Sequence, residues 1–178
     1  MLHGYGTTSI NAIARSARVS KNTLYARFPS KAALFRAIVA QQIATVDEEV
    51  PASGGSDESL EDQLRAYVGV ALRRSLSKEA IDINRLILAE SYQFPELGEA
   101  SRARFQIGLE HVARSIEECA RRDRVPCRNP TAAAELFLSA MYGWYVSVIV
   151  SNRQVTDRER NAWVDNAVRM FLASRSSW

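Results

Sequence analysis

Apolar residues recur along this chain at three- and four-residue intervals almost from its start. Ile10, Ile13, Ala14 and Ala17 stand at i, i+3, i+4 and i+7, the spacing that lines one side of an α-helix. Thr8 is placed to cap that helix, and Ala17-Arg18-Val19 makes a turn. Ser20 then caps a second helix whose apolar side is Leu24 and Phe28. Left facing outward on the second helix are Lys21, Asn22, Thr23, Tyr25 and Arg27, a row of hydrogen-bonding side chains on a rigid element. Two short helices joined by such a turn form a helix-turn-helix pattern, whose second helix can enter the DNA major groove. On spacing alone, a plain helical hairpin with a solvated basic face fits as well.

Pro29-Ser30 ends the second helix, and Leu34, Phe35, Ile38, Val39, Ile43 and Val46 predict a third over about 31–49. This helix would connect the small N-terminal unit to the rest. Pro51-Ala-Ser-Gly-Gly-Ser56 reads as a flexible, turn-rich stretch, dividing a domain over 1–50 from a larger helical one over 51–178. Further helices are predicted over about 60–77, 81–92, Phe94 to about Arg122, 131–151 and 156–173. Leu86, Ile87 and Leu88 are consecutive, which predicts a largely buried helix.

The last two helices carry apolar residues on more than one side, wider than a single core stripe needs. A second buried surface follows, and the same pair of helices from another subunit, packed as a two-fold four-helix bundle, is the simplest candidate. Phe137, Trp144, Val148, Trp163, Ala167 and Phe171 are the residues expected in that interface. Gly143 would let a partner backbone come close. The alternative buries all this surface inside one chain.

Composition sharpens the picture. The 178 residues are 47% hydrophobic, with eight Gly and five Pro, as an all-α protein with a sizeable core requires. Net charge is only +3, but its placement is uneven. Residues 1–46 hold six Lys or Arg and no Asp or Glu, while the other 17 basic residues face 20 acidic ones. A surface that tracks phosphates needs that segregation, because each neutralised phosphate releases counterions. Cys119 and Cys127 lack the spacing of a zinc site or a disulfide framework and read as reduced thiols. Neither an export leader nor a run of about 18 apolar residues stands out, so a cytoplasmic protein without a membrane partner is expected.

Gly4-Tyr5-x-x-Thr8-Ser9-Ile10-x-x-Ile13-Ala14-x-x-Ala17-x-Val19-Ser20-Lys21-x-Thr23-Leu24-Tyr25-x-x-Phe28-x-Ser30-Lys31-x-x-Leu34-Phe35 closely resembles the DNA-binding domain of TetR-type transcriptional repressors. The resemblance implies phosphate contacts for Thr8, Tyr25 and Lys31, and base contacts for Lys21, Asn22, Thr23 and Arg27. Arg18 departs from it, standing where the family has Gly at a turn position of strained or positive φ. A second departure is the start at Met1-Leu2-His3, where the family has a further helix. The expected fold is therefore an all-α chain whose helix-turn-helix domain lacks its first helix, followed by a helical ligand-binding and dimerisation domain. Ala89-Glu90-x-x-x-Phe94-Pro95-Glu96-Leu97 resembles a segment of the ligand-binding domains of AefR-like members.

The family implies a pocket among the central helices for a small apolar or amphipathic effector that releases the protein from its operator. Tyr67, Tyr92, Phe105, Leu109, Met141 and Tyr145 are the side chains expected to line it. A small reading unit covers only about 4–6 base pairs, so binding is expected as a homodimer to two half-sites about 34 Å, or a multiple, apart on double-stranded DNA. No nucleophile elbow, phosphate loop or metal spacing is present, so neither an enzyme nor a cofactor is expected. The competing class is a helical ligand-binding or interaction module without DNA binding.

Overall fold

The computed structural model describes residues 4–49 and 58–175, the side chains of 42–49 excepted. All regular structure among these residues is helical: α1 (Ile10–Ser16), α2 (Lys21–Arg27), α3 (Lys31–Glu49), α4 (Leu60–Ser75), α5 (Lys78–Glu90), α6 (Pro95–Asp123), α7 (Pro130–Val150) and α8 (Asp157–Ala173). The expected stretch 51–56 and the question of an earlier helix lie outside the described residues.

Several helices begin where short polar side chains can satisfy orphan amides. Ser59 Oγ accepts from Asp62 N–H at 3.2 Å and Asn129 Oδ1 from Ala132 N–H at 3.0 Å. Pro130 follows Asn129 as the first residue of α7, where its missing N–H costs nothing. Thr156 and Glu159 bond reciprocally in a capping box that starts α8. The helix expected from Ile81 starts three residues earlier, at Lys78. It is buried on one side only: Ala80, Ile83, Asn84 and Ile87 are buried, whereas Leu88 is 41% exposed, which corrects the expectation of a largely buried helix. Asn84 is satisfied locally, donating to Ala80 O at 2.7 Å and accepting from Arg104 at 3.0 Å.

By compactness the chain divides into two units. One unit comprises residues 1–44 together with 78–104; the other comprises 45–77 with 105–178. The first owes its composition to a single cluster in which Tyr5, Phe35 and Val39 are buried with Ile83, Ile87, Leu97 and Ala100. Each large side chain so buried contributes about 1.5–3 kcal/mol, so the segment 78–104 is held to the N-terminal helices by hydrophobic packing. In the second unit α4 packs against α7 and α8, and α7 against α8. Leu64, Val68, Leu72, Val112, Ile116, Leu138 and Val168 are among its fully buried side chains.

Candidate nucleic-acid interface

The N-cap of α1 is Ser9, whose Oγ accepts from Ala12 N–H at 3.1 Å, and not the expected Thr8. Capping needs extended backbone immediately before the first helical residue, and Ser9 supplies it with φ −94° and ψ 151°. Thr8 closes the preceding turn instead: its hydroxyl donates to Gly4 O at 2.8 Å and its amide to the same oxygen at 3.2 Å. At the far end of α1, Val19 N–H reaches Ala14 O at 3.0 Å and Arg18 N–H reaches Arg15 O at 3.2 Å, the paired bonds of a left-handed helix stop. Arg18 holds that stop at φ 55°. Ser20 then caps α2, accepting from Thr23 N–H at 3.0 Å.

None of the α2 residues is buried. Lys21, Asn22, Thr23, Tyr25 and Arg27 are all exposed, and Leu24 and Phe28 turn partly inward. The Lys21 ammonium lies 5.6 Å from the centroid of the Tyr25 ring, the i, i+4 arrangement that holds both on one side of the helix. A short helix thus presents cations, an amide and hydroxyls together, with no acidic side chain between residues 4 and 41 to repel a phosphate.

Lys31, like Thr8 with its two bonds to Gly4 O, commits its donors to its own chain. Its ammonium turns onto the lead-in turn, donating to Tyr5 O, to Thr8 O at 3.0 Å and to Gly6 O at 3.4 Å, and it lies 4.2 Å from the centroid of the Tyr5 ring. Carbonyls a few ångströms away take up the charge, so Lys31 holds the turn rather than projecting from it. Tyr5 is the centre of this arrangement. Its ring meets Phe35 and Phe94 edge-on at 5.7 and 5.0 Å, and its hydroxyl donates to Glu96 Oε1 at 3.1 Å. Burial first, then the bond to Glu96, pushes the Tyr5 phenol up to about 12. The Glu90 carboxylate accepts from Tyr5 N–H at 2.7 Å and Gly6 N–H at 2.9 Å. Tyr5, Glu90 and Glu96 were not among the expected site residues, although all three stand in the quoted motifs.

In the second unit, Tyr67, Leu109 and Tyr145 are buried, and Phe105 and Met141 half-buried. Tyr67 stacks on His111 with ring centroids 4.6 Å apart. Tyr92 is 98% exposed in the turn after α5, so it is no wall of an enclosed cavity in this conformation. Phe137, Val148 and Phe171, expected at a subunit interface, are 3%, 2% and 8% exposed and belong to the core of their own chain, with the Phe137 and Phe171 rings 4.7 Å apart. Trp144 stacks on Trp163 at 4.8 Å, and both, like Ala167, are half-buried. The uncovered apolar side chains of these helices are others: Leu136, Val150 and Met170 at 67%, 72% and 72%, with Tyr142 at their edge. Among the described residues α7 alone is long and apolar enough to cross a membrane, by length and composition only, a test that a core helix also passes.

Residues 1–38 match the family described as bacterial regulatory proteins, tetR family, and residues 62–174 match the AefR-like transcriptional repressor C-terminal domain. The chain belongs to the TetR family of transcriptional regulators. Helix-turn-helix-type regulators of Mycobacterium tuberculosis and Mycobacterium bovis are 30% identical to it over 169 residues, covering 93% of this chain and 78% of theirs. The solved structure of the flavonoid-responsive regulator FrrA superposes with a TM-score of 0.74 at 30% identity, covering 97% of this chain and 88% of that one. A TetR-family regulator from Mesorhizobium loti, 22% identical, shares the fold at a TM-score of 0.77 over 95% of this chain and 87% of its own. TetR-family proteins are DNA-binding regulators and not enzymes, typically ligand-responsive homodimeric repressors, and operator DNA and a small effector are their typical partners.

Proposed function

We propose that this TetR-family chain acts as a cytoplasmic homodimeric repressor that reads its operator with Lys21, Asn22, Thr23 and Arg27, anchors to phosphates through Thr8 and Tyr25, and is released by a small apolar or amphipathic effector. The observation that carries the reading is the exposed, acid-free row on α2. Lys31 holds the turn that leads into α1 by its bonds to the carbonyls of Tyr5, Gly6 and Thr8. The working division by task puts DNA reading in 1–50 and effector binding with dimerisation in 51–178.

The effector site is assigned to Tyr67, Phe105, Leu109, Met141 and Tyr145. The flavonoid-responsive relative and the stacked Tyr67–His111 pair favour a planar aromatic molecule as the first class to test. The subunit interface is assigned to the outward sides of α7 and α8, where Leu136, Val150 and Met170 are uncovered and half-buried Trp144, Trp163 and Ala167 adjoin them.

Effector and operator should bind with negative coupling of about 1–3 kcal/mol, which acts equally in both directions. Titrating a flavonoid panel by calorimetry, with and without a duplex that the protein has selected from random sequence, tests this. Weaker effector binding on DNA is expected, and equal affinities would remove the induction model. Base preference supplies a separate check: Lys21→Ala should weaken operator binding and relax the selected sequence at its position. Unchanged affinity and sequence preference would take α2 out of the interface.

A further inference from the structure

We propose that Glu90 is a positioning residue for DNA binding, and that the segment Ala89–Leu97 is the mount on which the helix-turn-helix is set. The inference builds on the assignment of Thr8 and α2 to DNA. Four residues of that segment converge on one turn. Both carboxylate oxygens of Glu90 take backbone amides, Tyr5 N–H at 2.7 Å and Gly6 N–H at 2.9 Å. Phe94 meets the Tyr5 ring at 5.0 Å, Glu96 accepts the Tyr5 hydroxyl at 3.1 Å, and Leu97 is fully buried in the same cluster.

The opposite polarity of that turn is held from α3. Lys31 takes the carbonyls of Tyr5, Gly6 and Thr8, so one turn has its N–H groups fixed by a carboxylate and its C=O groups by an ammonium. The turn leads into α1 through Thr8, and α1 leads within a few residues to α2. Its neighbours also fit a dedicated contact. A Cβ at Gly4 would stand 2.2 Å from Glu90 Oε1, and one at Gly6 would stand 3.1 Å from the Phe94 ring. Only bare backbone admits the carboxylate and the ring this closely. A displacement of the α5 terminus is therefore delivered to the start of α1 by charge-assisted bonds rather than through loose packing alone.

Glu90→Gln keeps the shape but leaves one acceptor for two amides, so one N–H faces another N–H. With a duplex selected from random sequence by the wild-type protein, operator affinity should fall about tenfold. Hydrogen exchange should accelerate at the amides of Tyr5 and Gly6 while those of Val39 and Ile87 stay protected, a pattern that general loss of stability would not give. Gly4→Ala, which pushes the same carboxylate away from the other side, should weaken operator binding similarly. The double variant should be no weaker than the worse single one, because both remove one contact. Operator affinity within twofold of wild type in Glu90→Gln, or additive losses in the double variant, would overturn the proposal.

Discussion

Arg18 occupies the left-handed region, φ 55°, at the stop of α1, where an L side chain sets its Cβ against the following carbonyl. The hydrogen bonds of the stop are made, so the backbone keeps its shape and the strain falls on the residue. Arg18→Gly should raise the unfolding free energy by about 1 kcal/mol, read as a higher urea midpoint with an unchanged slope. A lower midpoint would mean that the guanidinium makes compensating contacts. Because Arg18 is exposed beside α2, the same change removes a positive charge, so operator affinity is expected to fall even as stability rises. Lys31 gives the complementary lesson: a lysine in the position of a phosphate ligand is committed to three carbonyls of its own chain. Lys31→Ala should therefore lower stability as well as DNA affinity, whereas Lys21→Ala should lower only the latter.

At the scale of single helices, α6 and α8 carry the testable features. Gly108 of α6 lies under Tyr67: a Cβ there would stand 2.6 Å from the Tyr67 hydroxyl oxygen. Gly108→Ala should destabilise by about 1–3 kcal/mol despite the better helix propensity of alanine, and adding Tyr67→Phe, which removes that oxygen, should recover most of the loss. Failure of the second change to rescue the first would place the clash elsewhere. The start of α8 depends on pH. The Thr156 backbone N–H, followed by its hydroxyl, holds the Glu159 carboxyl below the usual carboxylate range. The folded value is lower than the unfolded one, so the cap contributes fully above the ordinary glutamate value, about pH 4.3, and loses that contribution as pH falls through the lower folded value. Glu159→Gln keeps a capping side chain without the titration. Its urea midpoint should change less than that of wild type between about pH 7 and about pH 3.5. Equal changes in the two proteins would show that the cap does not contribute to acid sensitivity.

For the whole molecule, the surface proposed for dimerisation is the outward side of α7 and α8. Leu136, Ala140, Gly143, Ser147 and Val150 are exposed at alternating four- and three-residue steps, a strip of small and apolar positions that suits close helix pairing. A Leu136→Glu, Met170→Glu variant should sediment as a monomer with native helix content and lose operator affinity, because a single reading unit covers one half-site. A dimer that survives both charges would move the interface elsewhere. Phe137→Ala separates core from interface: 3% exposed and packed on Phe171, it should cost about 3–5 kcal/mol of stability whatever the oligomeric state.

What was legible in the residue order was local. Helix periodicity, the Ser20 cap, the turn at Arg18 and the acid-free basic stretch all depend on neighbours within about four positions, where backbone geometry and charge need no distant partner. The exposed row on α2 follows from the same spacing, whereas the strained or positive φ at Arg18 was implied only by the family resemblance, which has Gly there. Periodicity can say that α7 is apolar on two sides but not which side the chain itself covers, so Phe137, Val148 and Phe171 stood with the interface and Leu136 and Met170 did not. Nor can spacing say that Lys31 points inward or that Glu90 takes the amides of a turn 85 residues away. Those choices belong to tertiary packing, because a charged side chain goes wherever the folded backbone offers it unsatisfied polar groups, and only the closed cluster around Tyr5 brings them together.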